Sequence, residues 1–245
     1  LKKKKSLWAA NRADEDTLHN LNFRCRRGQT TAIIGSTGSG KSTVAKLLLR
    51  FHDVTGGAIQ FNGVDVRGMT QESLRDAIAY VPQKAWLFSG TIADNLRFGN
   101  EAATEKQMRH ALDVAQSQFV YDLPDGLDSR VAQGGTNFSG GQRQRLSIAR
   151  ALMKHADLYI FDDSFSALDF KTDAALRRAL VPETRDAATL IIAQRISTIL
   201  HADQIIVLKD GEMAGIGTHE ELMETCEVYR AIAESQMKGG DGNGR

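Results

Sequence analysis

Gly35-Ser36-Thr37-Gly38-Ser39-Gly40-Lys41-Ser42, GSTGSGKS, is a complete G-x-x-x-x-G-K-[ST] phosphate loop. It stands between a β-branched run, Thr30-Thr31-Ala32-Ile33-Ile34, that reads as a buried strand and a segment from Thr43 to Arg50 that reads as a helix. Three glycines let the backbone turn tightly enough for successive N–H groups to converge on phosphate oxygens, and a helix N-terminus adds its positive dipole end. Gly35 through Thr43 are therefore the expected contacts of a nucleoside triphosphate. Lys41 is placed to reach its β- and γ-phosphates, and the Ser42 hydroxyl to ligate the magnesium ion that bridges them.

Outward from this loop, the chain reads as alternating strands and helices. Ala58 to Val66, AIQFNGVDV, alternates around Asn62-Gly63, a hairpin signal that predicts antiparallel strands early in the chain. A helix is expected near Glu72 to Ala79, followed by a strand end at Tyr80-Val81-Pro82. Met108, Ala111, Leu112 and Ala115 recur at helical spacing between Thr104 and Ser117, and a further helix is expected from Ser139 to Met153. Three apolar runs, Leu158 to Phe161, Thr189 to Ala193 and Ile205 to Leu208, suit central parallel strands. Strands separated by helices argue for a doubly wound α/β core. The Gly-rich tail, Lys238 to Arg245, is expected to be disordered.

Composition removes several classes of function. Thirty-one Lys and Arg against 30 Asp and Glu leave a formal net charge of +1, so no global field gathers nucleic acid, and no nucleic-acid partner is expected. The Lys2 to Lys5 run reads as solvated rather than lipid-bound. Cys25 and Cys226 are far apart and without metal-type spacing, which points to reduced thiols in a cytosolic setting. No apolar stretch approaches the ~20 residues needed to span a bilayer.

The strand Leu158 to Phe161 ends in Asp162-Asp163, and an apolar strand that delivers a carboxylate toward a phosphate loop can hold magnesium opposite the Ser42 hydroxyl. Asp162 is the metal candidate. Asn137-Phe138-Ser139-Gly140-Gly141-Gln142, NFSGGQ, opens the helix that follows it. SGGQ at a helix start makes sense as a second anion site, with Ser139 and the amides of Gly140 and Gly141 facing a phosphate.

These motifs together resemble the ATP-binding cassette superfamily. NFSGGQ is similar to its LSGGQ signature, Val81-Pro82-Gln83 to its Q-loop, and Ser166-Ala167-Leu168-Asp169 to its D-loop, in the family's order. The resemblance implies an α/β fold: a P-loop NTPase (RecA-like) core with an N-terminal antiparallel β subdomain and an inserted helical subdomain at about 84–155, all within one nucleotide-binding domain over 1–245. It implies ATP and Mg2+ as cofactors, with Gln83 added to the metal and catalytic residues and Gln142 to the nucleotide contacts. It also implies that two such domains pair head to tail, each ATP lying between one phosphate loop and the opposite signature.

Leu87 to Asn95, LFSGTIADN, resembles the segment that faces the membrane domain's coupling helix in exporters, and Gly134-Gly135 fits their cross-contact loop, with Gln133 where Glu is usual. The implied partner is a membrane domain, and the implied location the cytoplasmic face of the cell membrane. Exporters of this type carry that domain N-terminal in the same polypeptide, so the chain is expected to be a cytoplasmic portion, or a subunit read without its membrane part.

Two positions depart from the family. Asp163 stands where a water-polarising Glu is usual, one methylene short of that reach. Gln194 stands where a switch His contacts the γ-phosphate, and an amide carries neither a proton nor a charge at neutral pH. His201 is not its substitute, because Gln194 holds the matching position. The aromatic platform for adenine falls at Trp8, with Ala10 as the alternative alignment. An intact loop and signature beside Asp163 and Gln194 resemble the degenerate-site half of a heterodimeric exporter. The alternatives are a nucleotide-gated dimerisation module without turnover and a soluble ATPase outside transport.

Overall fold

The computed structural model describes residues 17–240. Trp8, Ala10 and the Lys2 to Lys5 run lie outside the described residues.

The chain enters its core as β1 (Thr30–Gly35), turns through the phosphate loop into α1 (Lys41–Leu48), and forms a hairpin of β2 (Gln60–Phe61) and β3 (Val64–Asp65). Asn62 and Gly63 have φ of 50° and 82°, the positive values that a two-residue hairpin turn requires. Next come α2 (Gln71–Asp76), capped by the Thr70 hydroxyl, and β4 (Ile78–Val81). The stretch expected to form an inserted helical unit contains β5 (Gly90–Thr91), α3 (Ile92–Arg97), α4 (Glu105–Val114), β6 (Arg130–Val131) and α5 (Gly140–Leu152). The core resumes with β7 (Leu158–Asp162), α6 (Phe170–Thr184), β8 (Ala188–Ile192) and α7 (Ile196–Ile199). It closes with β9 (Gln204–Lys209), β10 (Glu212–Gly217), α8 (His219–Thr225) and α9 (Glu227–Gly240).

Six strands form one sheet in the order β10-β9-β1-β8-β7-β4, parallel throughout except for β10, which runs antiparallel to β9 at one edge. Side-chain alternation on β1 builds both layers: Ile33 packs with Val44, Leu74, Ile160 and Leu190 on one face, while Ala32 and Ile34 join Phe161, Leu176 and Tyr229 on the other. Because the strands are buried on both faces, they read as continuous apolar runs. β1 sits at the centre, so the phosphate loop leaves its carboxyl end between neighbours that also end there. This is the crevice where open parallel sheets bind ligands.

Several expected boundaries move for local reasons. The helix expected to reach Ala79 stops at Asp76, because Ile78 already pairs with Leu158 in the sheet. The helix expected to reach Ser117 stops at Val114, and Gln116 then takes a φ of 57° that no helix continues through. The helix expected from Thr43 to Arg50 begins earlier, at Lys41, and ends at Leu48, with Arg50 at a φ of 51°. The tail expected to be disordered from Lys238 is helical as far as Gly240, and 241–245 lie outside the described residues.

Candidate functional site

The phosphate loop is built by its neighbours as much as by its glycines. Gly38 and Gly40 take φ of 82° and 96°, and Gly40 is the N-cap of α1. Gly35 is required by close approach: a Cβ there would lie 2.3 Å from the Leu208 carbonyl oxygen on β9. Lys41, the first residue of α1, is buried, and its Nζ donates to the carbonyls of Gly35 and Ser36 at 2.7 Å each. Burial pulls its pKa down, while the carboxylates of Asp163 and Asp162 pull it up. The Ser39 hydroxyl is buried without a hydrogen-bond partner among the described residues.

Facing Lys41 are two consecutive buried carboxylates. Asp162 ends β7, and its Oδ1 accepts from the Ser42 hydroxyl at 3.2 Å while its Oδ2 accepts from the Tyr80 hydroxyl at 3.2 Å. Asp163 turns the chain with a φ of 47°, a left-handed value that Asp tolerates, and its N–H donates to the Ile192 carbonyl at 2.7 Å. Its Oδ2 accepts from Gln83 Nε2 at 2.8 Å and from Gln194 Nε2 at 2.9 Å. Burial raises the pKa of both carboxyls, and their hydrogen bonds only partly offset it. Burial, then the neighbouring Asp162, also pushes the Tyr80 hydroxyl far above its ordinary value.

One cleft of about 290 Å³ gathers these groups: Thr37, Gly38 and Gly40 to Thr43 of the loop, with Gln83, Asp162, Asp163 and Gln194. Chemically it offers backbone amides and an ammonium for a polyphosphate, and a hydroxyl 3.2 Å from a carboxylate oxygen, a donor set suited to a hard cation that keeps phosphate and water ligands. His201 is exposed and not among the residues that line it.

The signature residues do not line that cleft. Ser139 caps α5 in a capping box: its hydroxyl accepts from Gln142 N–H at 3.2 Å, and Gln142 Oε1 accepts from Ser139 N–H at 2.9 Å. The Gln142 side chain, expected to contact nucleotide, is thereby turned back on its own helix terminus. Gly141 lies against the D-loop, where a Cβ would come within 3.3 Å of the Ala167 carbonyl.

Three residues escape motif reading. Tyr80 binds Asp162, Gln144 is buried and donates to the Pro82 carbonyl at 3.1 Å, and the Ser164 hydroxyl donates to the Val81 carbonyl at 2.8 Å. Gln144 lies two residues past the signature and was within reach of the sequence. Tyr80 carries no local signal, since a tyrosine in a strand is ordinarily core. Beside the Q-loop, Trp86, Phe88 and Phe98 form an exposed aromatic group. The Phe88 and Phe98 rings meet at a tilt of 30° with centroids 4.3 Å apart, Trp86 lies over Gly134, and Arg150 sits over the Phe88 ring.

Comparison with known proteins agrees with this architecture. Residues 18–166 match the family described as ABC transporter. An uncharacterized ABC transporter ATP-binding protein of Mycobacterium tuberculosis is 50% identical over 227 residues, covering 91% of this chain and 39% of that protein. The ATP-dependent lipid A-core flippase of Legionella pneumophila is 39% identical over 236 residues, covering 96% of this chain and 40% of the flippase. The solved structure of a bacterial Atm1-family ABC exporter with ATP bound superposes with a TM-score of 0.88 at 37% identity, covering 91% of this chain and 39% of that one. The chain thus spans about two fifths of the length of these relatives, and no helix among its described residues is long and apolar enough to cross a membrane. With its P-loop NTPase core and its matching fold, the chain belongs to the ABC transporter family.

Proposed function

We propose that this chain is the ATP-binding domain of an ABC exporter, pairing head to tail with a second such domain around ATP and Mg2+ to drive a membrane domain. In this reading its own site hydrolyses slowly, and its Ser139 to Gln142 signature completes the partner's site. Lys41 and the loop amides hold the phosphates, Ser42, Asp162 and Gln83 serve the metal, and the exposed group around Trp86 and Phe88 docks a coupling helix at the cytoplasmic face of the membrane. The whole chain from 1 to 245 acts as one domain, with the helical unit at about 84–155 carrying the signature and docking surface.

The observation that carries the impaired-site reading is the constellation at Asp163. The group in the water-positioning place is a short carboxylate whose Oδ2 is shared by the amides of Gln83 and Gln194, and the switch position holds no titratable group. General-base catalysis needs a carboxylate oxygen within ~2.6–3.2 Å of the proton it takes, and Oδ2, which already accepts from two amides, is thereby a weaker base, held on a side chain one methylene short of Glu. Support for head-to-tail pairing comes from the signature standing outside the cleft that holds the phosphate loop, so that it is available to another molecule.

The test is steady-state phosphate release from the purified chain, alone and with a partner domain that carries Glu and His at the matching positions. Slow release alone, brisk release with the partner, and loss of that release on Ser139→Ala are the expected results. Vigorous turnover by the unpartnered chain, abolished by Asp163→Asn, overturns the impaired-site reading. ATP-dependent pairing without release in any combination favours a dimerisation module.

A further inference from the structure

The loop that presents Gln194 is short of local support. α7 begins at Ile196, and its N-cap, Arg195, supplies no side-chain acceptor for the helix's free N–H groups. A residue forty positions away supplies it instead. Gln236 Oε1 accepts from Ile196 N–H at 2.8 Å, and Gln236 Nε2 donates to the Gln194 carbonyl at 2.6 Å. One side-chain amide thus grips the backbone on both sides of Arg195, satisfying a helix-terminal donor and a loop carbonyl together.

Both ends of this grip are anchored. Tyr229 and Ala233 lie on the same face of α9 as Gln236 and are buried, and the Tyr229 hydroxyl pairs with His219 Nδ1 at 2.8 Å. On the other side, the loop's own side chains reach the cleft: Gln194 binds Asp163 Oδ2, and Arg195 donates to the Ser166 carbonyl in the D-loop at 3.4 Å. The path from α9 to the cleft is continuous through hydrogen bonds, with the backbone of residues 194–196 as its middle link.

We propose that Gln236 is a positioning residue for the nucleotide site: it holds the 194–196 backbone so that the Gln194 amide is presented toward the terminal phosphate, which makes the C-terminal helix part of the site's sensing of ATP against ADP. This rests on the reading of Gln194 as the γ-phosphate contact. Gln236 itself touches no nucleotide.

The experiment measures magnesium-ATP and magnesium-ADP affinities by calorimetry for the full chain and for Gln236→Ala, Gln194→Ala and the double variant. Gln236→Ala should weaken ATP by roughly threefold to tenfold, the worth of one or two modest hydrogen bonds, and leave ADP unchanged. The double variant should be no worse than Gln194→Ala, because the two act in series. Hydrogen exchange at the Ile196 amide should accelerate in Gln236→Ala and stay slow in Gln236→Glu, which keeps an acceptor. An unchanged ATP-to-ADP ratio in Gln236→Ala, with Gln194→Ala weakening ATP, overturns the positioning role alone. Equal loss of both nucleotides, or additive losses in the double variant, reduces Gln236 to a structural contact. If Gln194→Ala leaves the ratio unchanged, the γ-phosphate reading fails and the proposal falls with it.

Discussion

Gln194 donates its side-chain amide to Asp163 Oδ2 at 2.9 Å, across 31 positions of sequence, so the two residues that depart from the family pattern are bonded to each other. A neutral amide can satisfy a buried carboxylate without being protonated, and the shorter Asp keeps its oxygen back at the distance where that amide reaches it. The pair is mutually fitted: changing Gln194 alone leaves Asp163 Oδ2 with Gln83 as its remaining amide donor, and changing Asp163 alone removes the acceptor of the Gln194 amide.

Restoring hydrolysis should therefore need both changes. Asp163→Glu with Gln194→His, assayed with a partner whose own phosphate loop carries a Lys→Ala change, should raise phosphate release by roughly a hundredfold, the lower range of general-base effects. Gln194→His alone should give little, because the carboxylate stays one methylene short. Equal release from the single and double variants would separate Asp163 from the limitation.

Lys41→Ala should weaken ATP binding by roughly tenfold to a hundredfold, the worth of charge-assisted hydrogen bonds. Its Nζ now rests on the carbonyls of Gly35 and Ser36, close to where phosphate oxygens are expected, and among the described residues no other lysine or arginine lines the cleft. Calorimetry with magnesium-ATP reads this directly, and an unchanged affinity removes Lys41 from the phosphate contacts.

Asp162→Asn should weaken the magnesium dependence of ATP binding while stabilising the nucleotide-free chain at neutral pH. Burial raises the Asp162 carboxyl above its ordinary 3.8, so the folded state retains a proton that the unfolded state releases. Stability from this group is present at low pH and is lost as pH rises from 3.8 through the raised folded value. Thermal melts of parent and variant should diverge across that window, with the variant higher above it. The difference between the two is the informative quantity, since Asp65, Asp94 and Asp169 have lowered values and act with the opposite sign. Melting curves that stay parallel at every pH would contradict this.

Gly35→Ala should lower the melting temperature, because its Cβ would sit 2.3 Å from the Leu208 backbone oxygen, which cannot rotate away as a side chain can. Overpacking of this kind costs about 1–3 kcal/mol. Circular dichroism melts should show the loss, and nucleotide affinity should fall with it because β9 and the start of the loop must move apart.

The sequence by itself determined the phosphate loop, the parallel core strands, the hairpin at Asn62-Gly63 and the helix at the signature. Each is written in contiguous residues: glycines and a lysine at fixed offsets, β-branched runs for strands buried on both faces, and a Ser followed three residues later by Gln at a helix start. The edge strand β10 had no such signal, since Glu212 to Gly217 is half-exposed and Gly-rich. The site's second tier was equally hidden. Tyr80 on Asp162, Gln83 and Gln194 on one oxygen of Asp163, Gln144 on the Q-loop carbonyl, and Gln236 on the Gln194 loop are bonds between segments forty to eighty or more positions apart in most cases. Only the tertiary structure decided them, because a side-chain amide or hydroxyl reads the same in sequence whether it meets water or a buried carboxylate, and it is the sheet order that brings the ends of β1, β4, β7 and β8 to one crevice.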